Sequence, residues 1–168
     1  MKTKLLSLML LALLLATAAC GGGESEAPKE TSKEYTANDI TITLPSTWSA
    51  NYGENEKQIL VSAPEEEYVL GIQILETGPA TAEEFASLMS KELNGTQPVA
   101  APVYGNYVFD ASIMSFPAHT TILTVEGSSL VLVEIGDYKK FAENAKGIIK
   151  SMKSTNQGFQ KVISAIKF

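Results

Sequence analysis

Apolar residues recur along this chain at two spacings, and each spacing predicts a kind of element. From Ile40 to Leu44 they alternate with threonine, which is the period-two pattern of a strand with one buried face. Pro45 ends this strand because proline has no amide hydrogen to donate. Two further strands are expected over 58–63 and 68–76. Three adjacent glutamates lie between them, and we interpret them as a solvated loop because calcium needs ligands that converge from spaced positions.

A helical spacing begins after residue 80 and predicts the first helix. Thr81 and Glu84 are spaced as in a capping box, and Gly95 is expected to end the helix after Asn94. The expected apolar face consists of Phe85, Leu88, Met89 and Leu93.

A hairpin is predicted next, with Gly105 and Asn106 as its two-residue turn. This turn would join strands over 99–104 and 107–115, and it would place Tyr104 opposite Tyr107. These tyrosines, with Trp48 and Tyr52, are candidates to line a ligand groove. We favour the alternative that they are core residues or half-buried cross-strand pairs.

Gly127 and Ser128 predict a second hairpin, between strands over 119–126 and 129–135. Residues 130–133 are apolar on both faces, which is typical of a central strand covered on both sides. With this turn, His119 would pair with residue 136 and lie beside Asp137. The pair is a candidate metal or pH-sensing site, but we favour a structural hydrogen bond, because a metal site needs further ligands.

The last part of the chain predicts two helices. Asp137 is expected to cap the first, and the second lies within 155–168. Their apolar faces are Phe141, Ala145, Ile148, Ile149 and Met152 in the first, and Phe159, Val162, Ile163 and Ile166 in the second. We expect the second face to pack on the domain's own sheet, with docking on a partner or membrane as the alternative. Blocks of two strands and a helix predict an α+β domain, an antiparallel sheet flanked by helices.

The first nineteen residues have the pattern of a secretory signal. Lys2 and Lys4 precede an apolar run, and small residues follow up to Ala19. The segment 17–21 resembles the lipobox of bacterial lipoproteins, in which a peptidase cleaves before a cysteine that carries diacylglycerol. This resemblance implies lipid attachment, such as palmitate, at Cys20, the single cysteine. A plain signal peptide with a neighbouring cysteine is the alternative.

A tether is predicted over 20–34, followed by one domain over 35–168. The tether has no large apolar side chain and cannot bury enough surface to become ordered. Residues 20–168 contain 11 lysines, no arginine and 19 acidic residues, a net charge of −8. This charge argues against nucleic acid as a partner. The chain has no G-x-S-x-G, P-loop or H-E-x-x-H motif, so we expect no catalytic residues, no metal site and no cofactor.

The order of elements, with the segment Thr43-Leu44-Pro45-Ser46-Thr47-Trp48 closing an early strand, resembles the PsbP-like domains. Thr47 stands where that family often has glycine. The resemblance implies an α/β/α sandwich and a binding or accessory role rather than an enzyme.

Three functions follow as hypotheses, and the third, an enzyme, is disfavoured because no nucleophile–base pair is recognised in the sequence. The first is a lipid-anchored accessory protein on the extracytoplasmic side of the cell envelope, which contacts the membrane through Cys20 and an envelope protein as partner. The alternative is a small-ligand or metal-binding lipoprotein that serves a transporter.

Overall fold

The computed structural model describes residues 31–54 and 57–168. Within these ranges the chain forms ten strands and three α-helices. The strands are β1 (Ser32–Ala37), β2 (Ile40–Pro45), β3 (Ser49–Gly53), β4 (Gln58–Ser62), β5 (Tyr68–Glu76), β6 (Val99–Ala100), β7 (Tyr107–Ile113), β8 (Phe116–Val125), β9 (Ser128–Gly136) and β10 (Lys153–Ser154). The helices are α1 (Ala82–Glu92), α2 (Ala142–Ser151) and α3 (Gln157–Ser164).

Seven strands form one antiparallel sheet in the order β3-β4-β5-β9-β8-β7-β6, and β1, β2 and β10 form a smaller one. Helix α1 packs on one face of the large sheet, around Phe85 and Met89. On the opposite face lie α2, α3 and the small sheet, with Ile148 and Val162 in their core. The predicted α+β class, an antiparallel sheet between helical layers, is therefore confirmed.

Strand β9 lies at the centre of this arrangement because both of its faces are apolar. Leu130 and Leu132 face the core of α2 and α3, whereas Val131 and Val133 face α1. All four side chains are buried, and β9 pairs with β5 on one side and β8 on the other. The central strand predicted over 130–133 is confirmed.

Helix α1 begins as predicted. The Thr81 hydroxyl accepts from the Glu84 amide, and the Glu84 carboxylate accepts from the Thr81 amide at 2.9 Å. The expected apolar face is wrong at Leu88, which is 44% exposed. The predicted face is confirmed at Phe85 and Met89, which are buried against the sheet together with Ala86, a residue that was not predicted.

Three hairpins differ from the sequence-based expectation. The pairing of Tyr104 with Tyr107 is wrong: β6 is only Val99–Ala100, and Ala100 pairs with Tyr107. The intervening loop bends away, and the Tyr104 amide donates to the Lys167 carbonyl at 2.7 Å. Strands β7 and β8 form a tight hairpin through Met114 and Ser115 that was not predicted.

The β8–β9 hairpin turns at Glu126–Gly127, one residue before the predicted turn. Both turn residues have positive φ, 48° and 81°, which suits glycine at the second position. The whole pairing is displaced by two residues, and His119 lies opposite Glu134 instead of residue 136. The predicted juxtaposition of His119 and Asp137 is therefore wrong.

Asp137 does not cap α2 directly. Its carboxylate accepts from the Lys140 amide in a preceding turn, and α2 begins one residue after Phe141. The predicted apolar face of α2 is nonetheless buried at Ala145, Ile148, Ile149 and Met152. In α3, Val162 and Ile163 are buried on the domain's own core, as expected.

The first described strand, β1, begins at Ser32, three residues before the predicted domain boundary at Tyr35. Residues 32–34, assigned to the tether, pair with β2 in an antiparallel ladder. The Lys33 ammonium also donates to the Ser46 carbonyl at 2.9 Å. Because β1 is an edge strand held by backbone hydrogen bonds, its exposed polar side chains carry no hydrophobic signal. None of the described helices is both long and apolar enough to cross a bilayer.

Candidate functional site

A row of ionisable side chains crosses three neighbouring strands on the face that carries α2 and α3. Register places Asp110 of β7 opposite His119 of β8, and His119 opposite Glu134 of β9. Directly paired residues project to the same face of a sheet, so the three side chains lie side by side. His119 Nδ1 and Asp110 Oδ1 are hydrogen-bonded at 2.7 Å.

Glu134 is the buried member of this row, with 7% of its surface exposed. The Tyr68 hydroxyl donates to its Oε1 at 2.8 Å. Burial raises the pKa of the Glu134 carboxyl, and the hydrogen bond from Tyr68 and the charge of His119 oppose this rise. Burial, and next the charge of Glu134, raise the pKa of Tyr68, so this hydroxyl stays protonated as a donor.

Tyr68 belongs to an aromatic cluster with Trp48 and Phe141. The Trp48 ring lies edge-on to both others, with centroid distances of 5.8 Å to Tyr68 and 5.7 Å to Phe141. Trp48 is buried, and the Lys140 ammonium lies 5.1 Å from the Phe141 centroid. Trp48 is therefore a core residue, the interpretation that the sequence favoured over a ligand groove.

The candidate groove tyrosines do not meet. Tyr52 and Tyr104 pack against the core beneath α2 and α3, whereas Tyr107 packs on the α1 side. Tyr104 contacts Phe168, with ring centroids 5.7 Å apart.

A cleft of about 700 Å³ opens next to the ionisable row. Tyr138 lines this cleft and stacks on His119, with ring centroids 5.1 Å apart. The remaining walls are Glu67, Phe116, Pro117, Gly136, Asp137, Lys139 and Lys140. Lys140 and Glu67 form an ion pair in the wall of this cleft. Glu67, one of the three adjacent glutamates, therefore holds the turn that precedes α2.

The row brings together an imidazole, an exposed carboxylate and a buried one, which are side chains of the kinds that serve as general acids and bases. It is not a metal site of the usual kind: in the described ranges no three His, Cys, Asp or Glu side chains converge to hold an ion. The sequence did not predict its members Asp110 and Glu134, or the Tyr68 hydroxyl that donates to Glu134. A turn placed at Glu126–Gly127 would have indicated Glu134, since the register follows from the turn.

Cys20, the predicted lipid-attachment residue, lies outside the described residues, as do the signal segment and most of the tether.

No protein-family model and no curated protein matches this chain. Among solved structures, it is similar to a protein from Bacteroides thetaiotaomicron VPI-5482, at 15% identity over 75% of this chain and 49% of that one, with a TM-score of 0.48. This chain thus spans about half the length of the Bacteroides protein. It is also similar to cyanobacterial PsbP (CyanoP) from Synechocystis sp. PCC 6803, at 12% identity over 82% and 98% of the two chains, with a TM-score of 0.46.

A further similarity is to LpqN, described as involved in cell envelope biogenesis of Mycobacterium tuberculosis. Identity is 14% over 75% of this chain and 91% of LpqN, with a TM-score of 0.41. These are distant backbone similarities, and no residue of the site is assigned from them.

Proposed function

We propose that this chain is a lipid-anchored accessory protein of the cell envelope that presents a PsbP-like domain to membrane-associated partners. Cys20 carries the lipid, and the domain lies on the extracytoplasmic side. The role is one of binding and not of catalysis.

The arrangement around Cys20 supports this proposal. Small residues precede the cysteine, and ten polar or small residues separate it from Thr31, where the described fold begins. A flexible spacer of ten residues has an end-to-end distance of roughly 17 Å. The fold therefore starts close enough to Cys20 to be held near a bilayer, yet far enough to stay clear of the headgroups.

Lipid attachment supplies the mechanism. Each buried methylene contributes about 0.8 kcal/mol, and two acyl chains give stable attachment where one gives only reversible binding. Confinement to the membrane then raises the effective concentration of the domain toward partners in the same membrane.

Replacement of Cys20 tests this proposal. In the producing bacterium, Cys20→Ser should move the protein from the membrane fraction to the soluble fraction and abolish its labelling with palmitate. Ser25→Ala, in the same spacer, is the matched control and should leave both unchanged. If the Cys20→Ser variant remains membrane-bound and labelled, or the wild-type protein carries a free thiol by intact mass, the proposal is wrong.

The cleft beside His119 favours a second candidate, a small-ligand or metal-binding lipoprotein that serves a transporter. Its walls combine apolar rings with Lys139, Asp137 and the Lys140–Glu67 pair, which is the mixed lining that orients a small molecule. Titration with zinc or copper, followed through the His119 ring resonances, tests the metal version. Resonances that do not move would remove it.

A further inference from the structure

The β7–β8 hairpin ends in an apolar tip, which we define as Met114, Ser115 and Phe116. Met114 is 61% exposed and Phe116 is 60% exposed, the highest values for large apolar side chains in the described part of the chain. Ile113 pairs with Phe116, so Met114 and Ser115 form a two-residue turn.

The backbone of the tip is unusual for its residues. Met114 and Ser115 have φ of 51° and 71°, a conformation that asparagine and glycine adopt at lower cost. An Asn-Gly turn would close this hairpin without strain and without exposing a methionine. Folding therefore does not account for the choice of residues, and strained, exposed apolar positions indicate a contact surface.

The tip lies at the end of the domain where the chain enters. The Ser46 amide donates to the Thr31 carbonyl at 2.7 Å, and Trp48, two residues later, packs on Tyr68.

Tyr68, the first residue of β5, marks this end of the large sheet. It pairs with Gly136 of β9, and the preceding β9 residue, Ile135, pairs with Ala118 of β8. Phe116, two residues before Ala118, projects past this end of the sheet.

The opposite end of the sheet lies a full strand length away. Strand β5 runs from Tyr68 to Glu76, about 26 Å at 3.3 Å per residue. The Glu126–Gly127 turn and Gly78 mark that far end, where the Gly78 amide donates to the Gly127 carbonyl at 3.1 Å.

We propose that the apolar tip is a second membrane contact, inserting Met114 and Phe116 into the interfacial zone of the bilayer that holds the anchor. This inference rests on the proposed anchoring through Cys20. Thr31 leads back to Cys20 through only ten residues, so the end that carries the tip is the end held toward the lipid. Pro117 and Tyr138 lie next to the tip and extend its apolar surface toward the cleft.

Charge decides which kind of lipid contact this is. The chain from residue 20 onward has a net charge of −8, so anionic headgroups do not attract it. Of the two lysines in the cleft beside the tip, Lys140 is paired with Glu67, and Lys139 directly follows Asp137 and Tyr138 in the same wall, so a carboxylate lies close to each. The contact is therefore apolar and largely independent of salt, and two side chains suffice only because the anchor keeps them at high effective concentration.

Site-specific fluorescence tests this contact. In a Cys20→Ser chain starting at residue 20, an environment-sensitive dye is attached at Ser115→Cys, which leaves Met114 and Phe116 intact. An N-terminal polyhistidine tag holds the protein on phosphatidylcholine vesicles that contain a nickel-chelating lipid. A second protein carries the dye at Pro79→Cys, next to the far-end turn.

We expect the tip dye to shift to the blue and to be quenched by brominated lipid, while the far-end dye changes in neither respect. Met114→Ser with Phe116→Ser should reduce tip quenching roughly ten-fold, as expected for the loss of two partly buried apolar side chains. Leu88→Ser removes an exposed apolar side chain from α1 and is the matched control; it should change nothing. Circular dichroism confirms that each variant is folded.

If the tip dye has the same emission wavelength in solution and on vesicles and is not quenched by brominated lipid, the proposal is wrong. The tip would then be a contact for a protein or for a second copy of this chain. The same measurement on the natively acylated protein, in which lipid occupies the Cys20 sulfur and leaves only the dye-labelled cysteine, tests the anchor and the tip contact separately. If the tagged protein immerses its tip but the native protein has a free Cys20, the tip can bind a bilayer, but the anchor that would hold it there is wrong.

Discussion

Glu134 is a carboxyl group that folding removes from water. Burial raises its pKa in the folded state, so the folded protein binds a proton more tightly than the unfolded chain. The free energy of unfolding therefore decreases as the pH rises from the pKa of this carboxyl in the unfolded chain, about 4.3, to its higher pKa in the folded protein. Above the folded pKa, the full cost of burying a charged carboxylate is present.

Glu134→Gln should remove this cost while keeping an oxygen that accepts from Tyr68. We expect the variant to be more stable than wild type at pH 7 and about equal near pH 4, as measured by denaturant unfolding at several pH values. Tyr68→Phe is the contrasting variant, because it leaves the carboxylate buried without its donor and should lower stability. A Glu134→Gln variant that is less stable at every pH would contradict this account.

Thr120 contains a buried hydroxyl with no hydrogen-bond partner in the described part of the chain. Such a group loses its water on folding and gains nothing in return. Thr120→Val keeps the shape and should stabilise the domain by about 1 kcal/mol, seen as a higher midpoint of thermal unfolding. Ser129→Ala is the comparison: its hydroxyl is buried but bonded to Thr77 and Thr124, so its loss should destabilise by a similar amount.

His119 illustrates what a sequence can say about a single residue. The sequence predicted the β8–β9 hairpin, and a two-residue displacement of its pairing leaves each side chain on the same face of the sheet. It did not predict the neighbours, since these depend on which residue begins the turn. Glu126 adopts positive φ without being glycine, and no local pattern indicates that.

At the scale of the element, two glycines provide a matched test of backbone geometry. Gly136 ends β9 with φ of 96°, and a Cβ there would lie 2.3 Å from the Glu67 carbonyl oxygen. Gly147 lies on the exposed side of α2, where an added Cβ meets nothing within 4 Å.

Gly136→Ala should therefore destabilise the domain by about 2–4 kcal/mol, because the positive φ of this residue and the nearby Glu67 carbonyl oxygen both oppose a Cβ. Gly147→Ala should stabilise it by about 0.5–1 kcal/mol through helix propensity. Urea unfolding of both variants measures these changes, and equal effects of the same sign would show that the two environments are not as described.

Elements with strong local signals were predicted well. Strand β5 has the predicted bounds, and the capping box of α1 is present. The predicted strand over 99–104 shrank to β6 because tertiary contacts of its loop, such as that of Tyr104 with Lys167, replaced ladder pairing. The Met114–Ser115 turn was missed because it has neither glycine nor asparagine.

At the scale of the whole molecule, the layered class followed from the order of elements, but the division into two sheets did not. Strand β2 alternates like any half-buried strand, and nothing in its pattern says that it leaves the large sheet to pair with β1 and β10. That pairing joins residue 32 to residue 154 through one small sheet, so the N-terminal boundary depends on contacts far along the chain.

This boundary can be located with trypsin. Lys33 lies within β1, where backbone pairing and its bond to Ser46 should protect it, whereas Lys29 lies in the segment whose composition predicts disorder. We expect the resistant fragment to begin at residue 30, as read by N-terminal sequencing, and expect cleavage at both lysines in urea. A fragment that begins at Glu34 under native conditions would mean that β1 is not stably paired and that the tether is longer. The domain would then be held less closely to the bilayer, and the apolar tip would gain less from the anchor, because effective concentration falls as a tether lengthens.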